Sequence, residues 1–251
     1  MSSPTRCFIT FAAGDETAHK VEMEKYEALV DWLAQHGAKY GLAGKLEELD
    51  ESARETLSAI YEGDTKVALA PDSFSPPPSL RLPRLQLLVS SSPGVRKTTA
   101  NFLDLLTDSK SLKSKRSPHP PLRYVGTPVF RIERDFVAQT GDVTRGDGSG
   151  GESIYGGAFN DDKEGLKTPF ELGTLAMANS GKNSNTSQFF VTLTSDPAKL
   201  KRLTGKYVAF GQAVLEDQET RACLERLNDL ADGKGGTRMP VWIAECNVLS
   251  S

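Results

Sequence analysis

Two stretches in the first third of the chain carry apolar residues at the spacing of an amphipathic helix. Apolar residues recur at every third or fourth position and predict helices over residues 18–36 and 45–61. Gly37 is predicted to end the first helix and Gly63 the second. The glycine-rich segment 37–44 between them is a predicted turn, so the two helices are expected to form an antiparallel hairpin.

Short apolar runs elsewhere are typical of strands. A loosely alternating run predicts a first strand at residues 7–12, and a leucine-rich run predicts another at residues 85–89. After Tyr124, further strands are predicted at residues 128–132, 136–139, 173–178, 188–193, 209–214 and 241–248. Helices are predicted at residues 98–106 and 218–227. This spacing of short strands and glycine-rich turns favours a closed antiparallel barrel.

Two polar segments separate these elements. Residues 71–83 are rich in proline and serine, which predicts a linker with polyproline II tendency. Residues 109–121 carry four basic side chains and three prolines, which predicts an exposed loop. The basic cluster could be a nuclear address or contact RNA phosphates, but a solvated loop is the favoured interpretation.

Composition narrows the class of protein. The 251 residues are 38% hydrophobic and 25% charged, with a net charge of −3, so nucleic acid is an unlikely partner and an anionic membrane is not favoured. No apolar run approaches the roughly 20 residues that span a bilayer. The N-terminal residues lack the features of a secretory signal, and three scattered cysteines are typical of buried, reduced thiols. We therefore expect a cytoplasmic location, with a nuclear one also possible.

The candidate chemistry lies in the β-rich second half. An arginine in Phe130-Arg131-Ile132, expected to be buried, accompanies a glutamine and two phenylalanines in the segment 186–192. The glycine-rich run 146–151 lacks the Lys-Ser/Thr that would complete a phosphate-binding loop. Because no nucleophile or metal-ligand cluster accompanies these residues, they favour peptide recognition or a reaction without a covalent intermediate. No cofactor and no metal are expected.

Four blocks of sequence resemble the cyclophilins, the cyclosporin-binding family of peptidyl-prolyl isomerases. The blocks occur in the family's order and at compatible spacing, over residues 95–102, 124–142, 148–156, and 175–179 followed by 187–190. The resemblance runs from about Leu85 to the C-terminus, with the first strand as an outlying piece.

The resemblance implies a mainly β fold, an eight-stranded antiparallel barrel capped by two helices. It places a long insertion between the first two strands, where a surface loop tolerates added length. The expected organisation is therefore residues 1–16 as the first strand, 17–80 as a helical insertion with linker, and 81–251 as the remaining barrel.

The resemblance also implies the site residues. Arg131 is the expected catalytic arginine, assisted by Phe136 and Gln139. The expected substrate-binding residues are Val137, Gly148, Ala178, Asn179, Ser180, Gln188, Phe190, Leu203 and Tyr207.

Several positions depart from the family's pattern. Phe130 stands where the family usually has histidine, Glu133 where it has a small hydrophobic residue, and Val137 where it has methionine. Tyr207 replaces a further histidine, and Arg202 falls near the position of a tryptophan that contacts cyclosporin in many members. The loss of an indole implies reduced affinity for cyclosporin.

Two functions remain open at this point. The first is a peptidyl-prolyl cis–trans isomerase that acts on proline-containing peptides and proteins and assists their folding. The second is a non-catalytic scaffold that binds proline peptides within a larger assembly. In either case residues 17–80 could dock a protein partner.

Overall fold

The computed structural model describes residues 3–116 and 118–249. Its contacts divide the chain into two compact units. The larger unit comprises the chain up to Ala13 together with the chain from Arg81 onward, and the smaller unit is Gly14–Leu80. The smaller unit is thus inserted in sequence between the first two strands of the larger one.

The larger unit is built on a single antiparallel sheet. The described residues form eight strands: β1 (Thr5–Ala13), β2 (Leu85–Val89), β3 (Arg131–Glu133), β4 (Val137–Thr140), β5 (Thr174–Met177), β6 (Phe189–Thr192), β7 (Ala209–Ala213) and β8 (Val241–Val248). Their spatial order is β3-β4-β6-β5-β7-β2-β1-β8. The segment before β3 hydrogen-bonds to β8, with 2.8 Å between the Val129 nitrogen and the Val241 oxygen. The sheet therefore curls, and the predicted mainly β, eight-stranded fold is confirmed.

Two long helices pack on this sheet. They are α3 (Arg96–Thr107), which contacts β8, and α6 (Gln218–Asp229), which contacts β2 and β3. Both were predicted from their apolar periodicity. Asp217 caps α6 by accepting a 2.8 Å hydrogen bond from the Thr220 nitrogen. Two five-residue helices, α4 (Lys163–Lys167) and α5 (Pro197–Lys201), were not predicted because they are too short to show a helical period.

Aromatic side chains dominate the core between α3 and the sheet. The Phe102 ring is fully buried, with its centroid 5.4 Å from that of Tyr124, 5.2 Å from Phe189 and 5.0 Å from Phe210. The Tyr124 hydroxyl donates a 2.8 Å hydrogen bond to the Ser187 carbonyl, which satisfies the one polar atom of that buried side chain. This cluster ties α3 to β6 and β7.

The smaller unit contains α1 (Glu16–His36) and α2 (Glu51–Thr65), joined through short 3-10 turns at Gly37–Tyr40 and Leu46–Glu48. The first predicted helix is confirmed, and Asp15 caps it. The predicted start of the second helix at residue 45 is wrong, because Asp50 accepts a 2.8 Å hydrogen bond from Ala53 and begins the helix there. Its predicted end at Gly63 is also wrong, since it continues to Thr65 and Lys66 closes it in the left-handed conformation.

An apolar core of its own holds the smaller unit together. Its buried residues are Leu29, Leu33, Leu46, Leu49, Leu57 and Tyr61. Trp32 packs edge-on against Tyr61, with 5.5 Å between ring centroids, and its indole nitrogen donates a 2.8 Å hydrogen bond to Asp64. Leu46 and Leu49, which fall within the predicted second helix, are thus buried although they lie outside the observed one.

Both predicted irregular segments are more ordered than expected. Within 71–83, Pro71–Phe74 forms a 3-10 turn, and the Leu82 nitrogen donates a 2.8 Å hydrogen bond to Phe11 of β1. Within 109–121, Ser114 is buried and its hydroxyl donates a 2.6 Å hydrogen bond to Glu152, so this segment is not a wholly exposed loop. Its residue Ser117 lies outside the described residues.

The three cysteines are buried free thiols, as predicted. Burial raises the pKa of Cys7, Cys223 and Cys246 to about 12, so they are inert at neutral pH. Across the described ranges, no helix combines the length and apolar character needed to cross a membrane.

We expect Phe102→Ala to lower the free energy of unfolding of the larger unit by about 3–5 kcal/mol, because it opens a cavity among three other rings. Urea denaturation followed by near-ultraviolet circular dichroism measures the change. Val125→Ala is the matched control, since Val125 is 40% exposed and its truncation should change stability by less than about 0.5 kcal/mol. A loss below about 1 kcal/mol for Phe102→Ala would contradict the proposed importance of this cluster.

Candidate active site

A cavity of about 230 Å³ opens on the larger unit. It is lined by Arg131, Phe136, Val137, Gln139, Ala178, Asn179, Phe190, Arg202, Leu203, Lys206 and Tyr207. The structure thus brings nine of the twelve expected site residues around one hollow. The other three, Gly148, Ser180 and Gln188, do not line it.

The alternation of side chains along two paired strands creates the apolar floor. On β6, Phe189 and Val191 point into the main core, whereas Phe190 belongs to a separate cluster beneath the cavity. On β4, Ala138 faces the main core and Val137 faces the same separate cluster. Because side chains alternate along a strand, one face of this sheet packs into the main core and the other forms the floor of the cavity.

Aromatic contacts fix the orientation of the Phe190 ring. It stacks on Phe170 with 6.2 Å between centroids and meets Tyr207 edge-on at 5.2 Å. Leu203, only 5% exposed, packs into the same cluster. The floor is therefore an apolar surface on which ring contacts on two sides hold Phe190 in place.

Arg131 lies at the edge of this hollow, paired in register with Gln139 on β4. Its Nη1 donates a 3.3 Å hydrogen bond to the Gln139 Oε1, and its Nη2 forms an ion pair with Glu133. The expected burial of Arg131 is wrong, since 46% of its side chain is exposed. The reason is that β3 is a three-residue strand at the end of the sheet order, where only Ile132 faces the core.

A chain of amide hydrogen bonds orients Gln139. Its Nε2 donates to the Gln188 Oε1 over 2.9 Å, which leaves its own oxygen facing Arg131. Gln188 in turn donates from Nε2 to the carbonyl oxygens of Gly148, at 2.9 Å, and Gly150, at 2.8 Å. Gly148 and Gln188 therefore support the cavity from behind.

Asp142 organises the glycine-rich loop that anchors this chain of hydrogen bonds, although it was not among the expected site residues. Its buried carboxylate accepts hydrogen bonds from the Gly148 and Gly150 nitrogens, each at 3.0 Å. Burial alone would raise the pKa of Asp142, but hydrogen bonds from backbone nitrogens and Thr144 outweigh it and hold that pKa below its ordinary value. Asp142 is the last residue of the block 124–142 that resembles the cyclophilins, and this position could have marked it as a candidate site residue.

Phe130 contacts the same loop. Gly148 has φ 86°, and a Cβ added there would lie 2.6 Å from the Phe130 ring. Only glycine therefore allows the loop backbone to pass over this ring. Phe130, at a position where the resemblance implies a histidine, thus packs under the loop that holds Gln188.

The opposite side of the cavity is formed by the segment that follows α5. The Asn179 side chain donates a 3.0 Å hydrogen bond to the Lys206 carbonyl and ties β5 to this segment. Ser180 points elsewhere, into a turn closed by Ser184. Arg202 and Lys206 also line the cavity. The resemblance placed Arg202 near a cyclosporin-contacting position, but neither residue was among the expected substrate-binding residues.

Comparison with known proteins agrees with this architecture. The family model described as cyclophilin type peptidyl-prolyl cis-trans isomerase/CLD matches residues 87–248. A Kluyveromyces lactis protein named peptidyl-prolyl cis-trans isomerase D is 38% identical over 159 residues, which are 62% of this chain and 40% of that relative. The chain therefore matches less than half the length of this relative. Since the family match runs from β2 to β8 and covers more than half of the chain, the protein belongs to the cyclophilin-type peptidyl-prolyl cis–trans isomerase family.

Proposed function

We propose that this chain is a peptidyl-prolyl cis–trans isomerase that rotates X-Pro bonds in peptides and proteins and assists their folding. The observation that carries the proposal is the Arg131 guanidinium, held by Gln139 at the edge of an apolar cavity. Membership of the family supports the same reaction.

The reaction makes and breaks no covalent bond. Amide resonance sets a barrier of about 18–20 kcal/mol, so the uncatalysed rotation takes roughly 10–100 s. When the amide twists, the lone pair localises on the proline nitrogen. A guanidinium stays charged at any working pH and can donate a hydrogen bond to that nitrogen, which stabilises the twisted state.

The remaining site residues are proposed to hold the substrate in place. Phe136, Val137, Phe190 and Leu203 would receive the proline ring, with Tyr207 bracing Phe190. Asn179, through its backbone, would hold the residue before proline, with Ala178 beside it in the cavity lining. Ser180, Gln188 and Gly148 lie outside that lining, and Gln188 and Gly148 would act on the substrate indirectly, by orienting Gln139. Contacts on both sides of the bond allow binding energy to favour the twisted form.

We expect Arg131→Ala to lower kcat/KM on the order of 10²-fold, because the charge at the prolyl nitrogen is lost. Magnetisation-exchange NMR on a short proline peptide measures the rate without a coupling protease. Arg131→Lys is the matched control, which should retain part of the activity since it keeps the charge but not the fork of donors. Turnover by Arg131→Ala within twofold of the unsubstituted chain would refute this role.

The same assay decides between the enzyme and the non-catalytic scaffold. A scaffold would bind the peptide without accelerating its isomerisation, and Arg131 substitutions would change nothing in the rate. The charged segment Glu133-Arg134-Asp135, which would favour a scaffold if it were free to bind a partner, gives the scaffold little support. Arg134 lies 3.6 Å from Asp229, and Asp135 exchanges hydrogen bonds with Asn228, so this segment is engaged within the chain.

Weak binding of cyclosporin is also proposed, because Arg202 lines the cavity near the position where many family members have tryptophan. We expect Arg202→Trp to lower the Kd for cyclosporin by about tenfold or more, since an indole adds a large apolar contact and a donor. Isothermal titration measures the affinity, with Lys201→Trp as the control outside the cavity lining. An unchanged Kd in Arg202→Trp would count against the assignment of this position.

The smaller unit supports a second proposal, that the insertion binds a basic polypeptide segment with apolar anchors. A groove of about 630 Å³ is lined by Tyr26, Leu29, Tyr61 and Pro76–Pro78 among others, and its charged lining residues are Glu22, Glu24, Asp72 and Lys25. Glu22 is paired with Lys25 at 2.7 Å and Glu24 with Lys20 at 3.8 Å, so the carboxylates outnumber the one lining lysine but are partly neutralised. Residues 14–80 contain 14 Asp and Glu but only 6 Lys and Arg. An apolar floor beside an excess of carboxylates complements lysine and arginine in a partner.

Removal of the insertion separates the two proposed activities. Because Ala12 pairs with Arg81, a short turn can join Ala13 to Arg81 in place of residues 14–80. We expect this variant to keep isomerase turnover within about twofold but to lose binding of a lysine- and leucine-rich peptide, measured by fluorescence anisotropy.

The full chain with Glu22→Gln, Glu24→Gln and Asp72→Asn should bind that peptide several-fold more weakly. A glutamate- and leucine-rich peptide is the negative control. Equal binding of the basic peptide by the unsubstituted chain, the shortened chain and the triply substituted chain, or loss of turnover in a well-folded shortened chain, would contradict these assignments.

A further inference from the structure

The charges around the active-site cavity are unbalanced. Three of its lining residues are cationic, namely Arg131, Arg202 and Lys206, whereas no carboxylate is among them. The chain as a whole is acidic, with a net charge of −3, so this local excess of positive charge is not a consequence of overall composition.

Arg131 is already engaged by its neighbours. Its Nη2 is paired with Glu133 and its Nη1 with Gln139, so both ends of the guanidinium have partners. The position of Glu133, two residues along the same short strand, places both side chains on one face. Arg131 therefore contributes less net positive charge to substrate binding than its guanidinium alone would.

Arg202 and Lys206, by contrast, are exposed and have no carboxylate partner within residues 3–116 and 118–249. Their backbone is well anchored nonetheless. The Leu203 nitrogen donates to Leu200 at 3.0 Å, and the Lys206 nitrogen donates to Leu203 at 3.1 Å. Leu203 lies between them in sequence and is buried in the cavity floor. Two free cations are thus held beside the pocket proposed for the proline ring.

We propose that this site prefers X-Pro substrates that carry an aspartate or glutamate next to the proline. The inference rests on the proposed isomerase function and names its substrate class. With the proline ring on the apolar floor, the side chains of adjacent residues extend toward the rim, where Arg202 and Lys206 attract a carboxylate. An exposed ion pair of this kind is worth roughly a two- to fivefold change in affinity and weakens with salt.

The test compares peptides that differ in one side chain. Magnetisation-exchange NMR gives kcat/KM of the full chain for matched proline peptides with Glu, Gln or Lys immediately before or after the proline. At low salt we expect kcat/KM for the better-placed Glu peptide to exceed that for its Gln counterpart roughly two- to fivefold, with the Lys peptide lowest. The ratio should fall toward one in about 1 M salt, where the Debye length is roughly 3 Å.

Paired variants assign the effect to the two cations. Arg202→Gln with Lys206→Gln should bring the Glu-to-Gln ratio close to one. Lys201→Gln removes one positive charge immediately beside Arg202 but outside the cavity lining, and should leave the ratio unchanged. Because each ratio is measured on one protein with two peptides, a loss of stability in a variant affects both values alike.

The outcomes separate this inference from the isomerase assignment. Turnover of all peptides with no preference for Glu, or a preference that persists in the double variant, overturns the selectivity alone. If no peptide is turned over, the isomerase assignment fails. Titration of the same peptides then still decides the selectivity, since equal Kd values for Glu and Gln peptides would overturn it.

Discussion

The site depends on one chain of hydrogen bonds that runs from the glycine-rich loop to a guanidinium. Gly148 and Gly150 hold Gln188, Gln188 holds Gln139, and Gln139 presents its oxygen to Arg131. Each amide has both its donor and its acceptor engaged, so the orientation of the last one follows from the first. An exposed arginine on a three-residue strand would otherwise sample many rotamers, and these hydrogen bonds favour the rotamer that points the guanidinium toward Gln139.

Glu133 forms an ion pair with the same guanidinium, and this pair has two opposing effects. The pair helps to hold the side chain, but a carboxylate beside Arg131 also offsets part of the positive charge that would act on the prolyl nitrogen. A small hydrophobic residue, usual for the family at this position, would do neither. The loop after α5 supplies two further cations, Arg202 and Lys206, at the cavity, so positive charge there does not come from Arg131 alone.

Much of the larger unit follows from sequence pattern, whereas the charge arrangement at the site does not. β2 and β8 span the predicted residues 85–89 and 241–248, because their apolar side chains face one continuous core. The start of α2 was misplaced because the apolar stripe continued through residues that an Asp50 cap excludes from the helix. The Gln188–Gly148 contact joins residues 40 apart, and no local pattern encodes such a pair.

The most direct test of the account removes the charge of Arg131 while keeping its shape. Citrulline introduced at position 131 by semisynthesis keeps the planar shape and one terminal NH2 that can donate to Gln139, but it is neutral and has a carbonyl oxygen in place of the other terminal nitrogen. If a positive charge opposite the prolyl nitrogen drives the rotation, kcat/KM should fall at least tenfold, in a protein whose fold and peptide affinity are little changed. Full activity with citrulline at this position would contradict the account.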